Sequence, residues 1–214
     1  MTIYKNDEQG TEEWFQSRCG VITASNFSLI ENRLKTGKNK GDFSQAAKDY
    51  AFKIAVEKAT GNVYDYDDFN PWQAKRGSEL EPEARLAYEE KIEVMVIETG
   101  LALTDDYRFG GSVDGIAGNG IIEIKCFLSP SKIERILFNN DLSEEMAQIQ
   151  GNLFVTNKEY CDFILYLPQL KNINKQLYIQ RIERDEERIK TLEQNLNEFY
   201  DFMMNKFNRL IGNE

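Results

Sequence analysis

The sequence predicts an α/β fold in which a mixed β-sheet is flanked by helices. Three observations carry that expectation. Apolar residues recur at helical spacing toward both ends of the chain. Short β-branched runs bounded by glycine and asparagine lie between them. After residue 126 two helices, two strands and a last helix follow. A chain of 214 residues with 41% apolar content suits one domain, 1–214, with a substantial core.

The elements follow in order. Glu12-Glu13-Trp14-Phe15 opens a short helix that ends near Gly20. Thr23-Ala24-Ser25-Asn26 starts another, with Phe27, Ile30 and Leu34 on one face. A basic loop follows, containing Arg33, Lys35, Lys38 and Lys40. Ser44 caps a long helix to Thr60, with Ala47, Tyr50, Ala51, Ile54 and Ala55 as its stripe and Gly61-Asn62 as its stop. Tyr64-Asp65-Tyr66-Asp67-Asp68 lacks the glycine and terminal glutamate of a calcium loop and reads as an acidic loop. A helix from Gln73 to Lys91 contains Pro82, where a kink or break is expected. Ile92–Thr99 reads as a strand, and Tyr107–Val113 and Gly120–Cys126 read as a hairpin around Gly118-Asn119-Gly120. Helices over Lys132–Phe138 and Glu144–Phe154, strands over Tyr160–Leu167 and Gln176–Ile182, and an amphipathic helix over Asp185–Leu210 complete the chain.

Composition narrows the chemistry. There is no histidine, so Ser-His-Asp and Cys-His nucleophile systems and His-ligated zinc are excluded. A catalyst here must work through carboxylates, lysine or an ion-activated water. The three cysteines, Cys19, Cys126 and Cys161, are scattered and read as reduced thiols. No apolar run is long enough to span a bilayer, and the N-terminus lacks a signal-peptide pattern, so a cytoplasmic protein without a membrane partner is expected. The net charge of −10 argues against DNA coating the whole surface but leaves room for a local basic channel. Candidates for such a channel are the Arg33–Lys40 loop, Lys75-Arg76, and Lys132 with Arg135.

The most informative stretch is Gly110-Gly111-Ser112-Val113-Asp114-Gly115 followed by Ile121-Ile122-Glu123-Ile124-Lys125. Residues two apart on a strand share a face, so Glu123 and Lys125 point one way and Ile122 and Ile124 the other. A hairpin brings Asp114 close to that pair. Charges in an otherwise apolar strand are costly unless paired or ion-bound. Two carboxylates and an amine on one sheet edge can hold a hard divalent cation and position a water for phosphodiester hydrolysis. Gln148 and Gln150, on the helix that follows, can offer polar groups to a phosphate or base. Trp14 reads as a core anchor. Without further information Ser25 is equally a helix cap and Arg18 equally a surface ion-pair partner, Glu81 reads first as part of a solvated acidic face, and Gln148 and Gln150 pass as helix-surface amides.

These residues resemble a known family. Asp114, Glu123 and Lys125 look like the PD-(D/E)xK nuclease signature. Glu13-Trp14, Arg18-Cys19-Gly20-Val21-Ile22-Thr23-Ala24-Ser25, Gly77 with Glu81 and Ala84-Arg85, Ser112-Val113-Asp114-Gly115, Glu123-Ile124-Lys125-Cys126 and Met146-Ala147-Gln148-Ile149-Gln150 resemble, in order, the lambda-type phage exonucleases, or YqaJ-like viral recombinase nucleases. The resemblance implies a restriction-endonuclease-like core, with the N-terminal helices (about 11–60) on the DNA-binding side. It implies an alkaline 5′→3′ exonuclease that acts on linear double-stranded DNA. It implies two Mg²⁺ ions, replaceable by Mn²⁺, held by Glu81, Asp114, Glu123 and the Ile124 carbonyl. Lys125 would orient or help deprotonate the attacking water, with Gln148 in support. Arg18, Ser25 and Ser112 would bind the 5′-phosphate, and Lys132 would stand in for a basic residue that the family places one position earlier, at Ser131. The resemblance further implies a homotrimeric ring around DNA and a single-strand annealing recombinase as partner, in a host cytoplasm if the chain is phage-encoded. An endonuclease of the same superfamily and a non-catalytic DNA-end or recombinase-binding module remain the alternatives.

Overall fold

Short-range chemistry sets the limits of the long helices. Ser44 accepts the Ala47 N–H at the start of helix α3 (Gln45–Thr60), and Gly61, at φ 69°, closes it. Asp185 accepts the Arg188 N–H at the start of α7 (Glu186–Ile211), which Gly212 ends at φ 75°. The two helices pack together through Ala47, Tyr50, Ala51 and Ile54 on one side and Leu192, Leu196, Phe199 and Met203 on the other. Tyr50 and Phe199 stack with ring centroids 5.8 Å apart.

The computed structural model describes residues 2–64 and 71–213, with side chains from Arg76 onward in the second stretch. The acidic stretch expected over 64–68 lies, after Tyr64, outside the described residues. Helix α1 spans Glu12–Ser17, α2 Phe27–Glu31 after a 3₁₀ turn at Ala24–Asn26, and α4 Pro71–Ile92. Pro82 does not end α4. Ala84 and Tyr88, wholly buried just beyond it, hold the following turns in the core and outweigh the lost N–H.

Two four-stranded sheets replace the single sheet expected. The first orders strands β1 (Ile3–Tyr4), β3 (Leu101–Leu103), β4 (Phe109–Ser112) and β2 (Ile22–Thr23), with β2 parallel to β4. The second orders β5 (Gly115–Ala117), β6 (Gly120–Lys125), β7 (Tyr160–Tyr166) and β8 (Leu177–Glu183). Strands β6 and β7 are parallel, joined through α5 (Pro130–Asn139) and α6 (Met146–Thr156). The expected hairpin is therefore only β5–β6, because the chain leaves the first sheet at Ser112 and enters the second at Gly115. Val113 and Asp114 make the crossing.

The strand expected over Ile92–Thr99 does not form. Helix α4 runs through Ile92, and in that stretch only Ile97 makes a bridge, to Ile116. The Glu89 carboxylate takes the Val96 N–H at 2.7 Å, a donor that a sheet ladder would have needed. Strand β3 forms further on.

Strand β6 separates two cores. Ile122 and Ile124 face α4 with Ala84 and Tyr88, while Ile121 faces a second core with Ile149, Leu153 and Ile189. Glu123 and Lys125 share the Ile121 side by strand alternation. Helix α6 lies between that core and the α3–α7 core, so apolar residues surround it almost completely. The Phe27 ring occupies the space a side chain at Gly151 would fill, which brings α6 close to α2.

On the other face of the second sheet, Asp162 is buried in β7. It accepts bonds from Arg181 (2.8 Å from both Nε and Nη2) and from the Tyr88 hydroxyl (2.6 Å). Replacing Tyr88 with Phe removes a hydrogen bond to a charged group and is expected to destabilise the fold by about 1.5–3 kcal/mol. Urea unfolding measures this, and a loss below about 0.5 kcal/mol would show that the bond contributes nothing.

Candidate active site

The site begins with the segment that follows α1. The buried Glu57 carboxylate accepts the Gly20 N–H (2.9 Å) and the Tyr64 N–H (3.1 Å). The Tyr50 hydroxyl accepts the Thr23 N–H at 3.0 Å. These bonds from α3 hold residues 18–25 in place. Arg18 lies over the Trp14 ring, 4.2 Å from its centroid. Its guanidinium donates to Ser112 Oγ (3.1 Å), Thr23 Oγ1 (3.3 Å) and Ser25 Oγ (3.5 Å), and the Trp14 indole N–H also donates to Ser112 Oγ (3.1 Å). Burial pulls the Arg18 pKa down, and Tyr50 and Glu57 oppose that pull. Among the described residues no carboxylate forms an ion pair with Arg18. It is a half-buried cation ringed by hydroxyls, a setting that suits an anion.

Asp114 sits where the chain changes sheets. Its carboxylate accepts the Ile124 N–H at 2.6 Å, and its own N–H donates to the Ile122 carbonyl at 3.3 Å. A strand residue's N–H and C=O point to the same side, so the Ile124 carbonyl also faces the Asp114 side. Glu123 is buried. Its Oε1 accepts Lys125 Nζ (2.6 Å) and Gln148 Nε2 (2.7 Å), and its Oε2 accepts Asn152 Nδ2 (3.0 Å). Lys125 also donates to Gln148 Oε1 at 3.3 Å. Glu81, half-buried on α4, pairs with Arg85 at 2.5 Å, and Arg85 also pairs with Glu98.

The three acids feel one another. Burial, then Glu123 and Glu81, push the Asp114 carboxyl well above the usual range against the pull of Lys125. Burial raises Glu81, Arg85 opposes, and Glu98 and Glu123 add to the rise. Burial lowers the Lys125 pKa, but Glu123 and Asp114 outweigh it and the net shift is upward. Among the described residues no group of three acids or thiols is already gathered tightly enough to hold an ion unaided. The donors are nonetheless hard oxygens, and their mutual repulsion is what a divalent cation would relieve, so the residues fit such an ion.

A groove of ≈ 1020 Å³ runs from Trp14, Arg18 and Ser25 to Glu81 and Asp114. A second, of ≈ 510 Å³, shares Glu81 with the first and is lined by Arg76, Ile124, Lys125, Phe127 and Lys132. The structure thus brings together Arg18, Ser25 and Ser112 in one cluster, and Asp114, Glu123, Lys125 and Gln148 in another with Glu81 beside it; Arg18, Ser25, Asp114 and Glu81 line the first groove, and Lys125 and Glu81 the second. It places Lys132 apart from Arg18, in the second groove, exposed and 3.3 Å from Glu144.

Two side chains, Trp14 and Gln150, differ from expectation, and for Ser25 the helix-cap alternative drops out. Trp14 lines the groove instead of anchoring a core. Ser25 caps no helix, and its hydroxyl faces Arg18. Gln150 is buried and structural, donating to the Glu183 carbonyl (2.9 Å) and accepting the Asp185 N–H (3.0 Å). Asn152 was not singled out from the sequence. Its place one helical turn beyond Gln148, on the face turned to Glu123, is the signal that could have found it.

The profile of the YqaJ-like viral recombinase domain matches residues 13–159. Among solved structures, an alkaline exonuclease (LHK-Exo) from Laribacter hongkongensis superimposes with a TM-score of 0.79 at 30% identity, over 95% of this chain and 97% of that one. LHK-Exo in complex with dAMP superimposes with a TM-score of 0.78 at 30% identity, over 94% and 96%. A phage-related exonuclease from Haemophilus somnus 129PT shares the fold, with a TM-score of 0.65 at 17% identity over 90% and 96%. No curated protein sequence matches the chain. The fold is the α/β, restriction-endonuclease-like one expected, with its strands divided between two sheets.

The thiol beside the site is shifted upward, chiefly by burial. Burial, partly offset by Arg76 and reinforced by Asp114 and Glu81, pushes Cys126 up to about 11. A thiol raised in this way is protonated at pH 8. In chelator, Cys126 is expected to alkylate roughly 10²-fold or more slowly than free cysteine and to speed up toward pH 11. Mass spectrometry of iodoacetamide-treated protein measures this, and labelling at the free-cysteine rate would contradict it.

Proposed function

The chain belongs to the YqaJ-like viral recombinase domain family, and on that premise we propose that it is a Mg²⁺-dependent 5′→3′ exonuclease. It degrades one strand of linear duplex DNA from a 5′-phosphorylated end and leaves a 3′ single strand for recombination by annealing. The observation that carries this reading is the groove joining Arg18, half-buried among hydroxyls, to the Asp114–Glu81 acids. One end suits a terminal phosphate and the other a scissile linkage. The likeness to an alkaline exonuclease that was crystallised with dAMP, a nucleotide carrying one phosphate, supports the same reading.

The residue roles follow from their surroundings. Arg18 grips the 5′-phosphate, with Ser25 and Ser112 adding hydroxyl contacts and Trp14 supporting the guanidinium. Asp114, Glu123, Glu81 and the Ile124 carbonyl hold two Mg²⁺ ions, or Mn²⁺ in their place. When bound, these supply activation of water and neutralisation of charge at the phosphate. Lys125 keeps its proton at neutral pH and acts as a donor that orients the attacking water. Gln148, bonded to both Lys125 and Glu123, fixes their separation. Lys132, with Arg76, offers positive charge to the DNA backbone in the second groove. A homotrimeric ring lined by such cations would let a chain of net charge −10 hold DNA, and a single-strand annealing recombinase would receive the product.

End-labelled linear duplex, with and without 5′-phosphate, in Mg²⁺ or chelator, tests the proposal. Nucleotide release is expected only with Mg²⁺ and mainly from phosphorylated ends. Cleavage of closed circles would point to an endonuclease, and stable end binding without release to a non-catalytic module. Asp114→Ala and Lys125→Ala are each expected to slow release by about 10²–10⁴-fold. Rates equal to the parent's would sink the assignment. Arg18→Ala is expected to weaken use of 5′-phosphorylated duplex about 10–100-fold and to leave 5′-hydroxyl duplex little changed. Equal losses on both substrates would remove Arg18 from the phosphate site.

A further inference from the structure

Glu123 is 2% exposed, and its carboxylate is fixed from both sides. Lys125 and Gln148 take Oε1, and Asn152 alone among the described side chains takes Oε2. Asn152 is itself 1% exposed, and its own Oδ1 has no hydrogen-bond partner among the described residues. A buried amide is expected to satisfy both of its ends. Here one end is left unpaired while the other faces a carboxylate. The unpaired end lies against β4. A Cβ on Gly111 would fall well inside van der Waals contact with Asn152 Oδ1. Gly111 has no left-handed φ, so space rather than backbone freedom calls for glycine. Asn152 also cannot retreat, because Gly151 beside it is seated on the Phe27 ring.

We infer that Asn152 is a positioning residue for Glu123, seated by the absence of a side chain at Gly111. The inference rests on the reading that Glu123 holds an ion in a nuclease site. An amide on Oε2 stops the carboxylate from turning about its terminal bond. The Oε1 edge then stays against Lys125 and Gln148. Partners of this kind, one step removed from an ion, commonly tune its affinity 10–100-fold. Asn152→Leu keeps the volume and removes the donor. Gly111→Ala disturbs the same contact from the opposite side. Adding Asn152→Ser to Gly111→Ala clears the methyl group and restores a shorter donor.

The test measures Mn²⁺ binding by calorimetry without DNA, kcat and KM on 5′-phosphorylated duplex, and thermal melting, for the full chain and each variant. Asn152→Leu and Gly111→Ala are each expected to weaken Mn²⁺ binding about tenfold or more and to lower kcat at least as much. KM for duplex should stay within about twofold. The double variant is expected to recover at least part of both losses. A folded Asn152→Leu or Gly111→Ala protein with Mn²⁺ affinity and kcat within twofold of the parent overturns the inference. So does a double variant no better than Gly111→Ala. If the parent binds Mn²⁺ and digests duplex while the variants match it, only this inference falls. If the parent does neither, the nuclease reading falls and takes this inference with it.

Discussion

A buried carboxylate organises this protein. Glu123 stands in the middle of an apolar strand at the centre of the second sheet, where an unpaired charge costs several kcal/mol. The strand supplies one answer, Lys125, on the same face two residues on. The rest comes from α6, whose Gln148 and Asn152 complete the carboxylate's bonds. That helix must therefore lie against β6 at a fixed height and rotation. Gly151 against Phe27 sets its approach to α2, and Gln150 ties it to the junction of β8 and α7. Such positions serve packing and charge compensation together, which accounts for a helix buried on nearly every side.

The second constraint is the crossing at Val113-Asp114. Because the chain changes sheets there, the Ser112 hydroxyl stays with the first sheet and meets Arg18. Asp114, two residues on, reaches the end of β6. A simple hairpin would have placed both on one ladder and closed the space between them. The crossing opens a groove that reaches both a cation and a group of acids. Under the proposed function, that juxtaposition gives one point to hold a phosphorylated terminus and another, a short way off, to cut.

Much of this was legible in residue order. Ser44, Gly61 and Asp185 act at their helix ends as short-range rules require, and the Glu123–Lys125 face follows from strand periodicity. What was misread shares one cause. Val94, Val96 and Ile97 carry strand-like side chains, yet Glu89 takes a backbone donor that pairing would need. Pro82 looks like a break, yet Ala84 and Tyr88 hold the helix from its far side. Gln150 looks like a surface amide and Trp14 like a core anchor, and their roles are reversed by which element lies opposite. In each case a neighbour distant in sequence outweighs a local preference.

The sequence by itself determined the chemical repertoire. Without histidine, and with two acids and a lysine in an apolar strand setting, it pointed to carboxylate- and lysine-based chemistry in an α/β frame. Only the tertiary structure decided that the strands divide into two sheets, that Lys132 stands apart from Arg18, and that Asn152 takes the second oxygen of Glu123. The reason is physical. Caps and periodicity act over a few residues and are written in local order. The partners of a buried charge are chosen by packing between segments far apart in the chain, where the space left by one glycine can settle which side chain arrives.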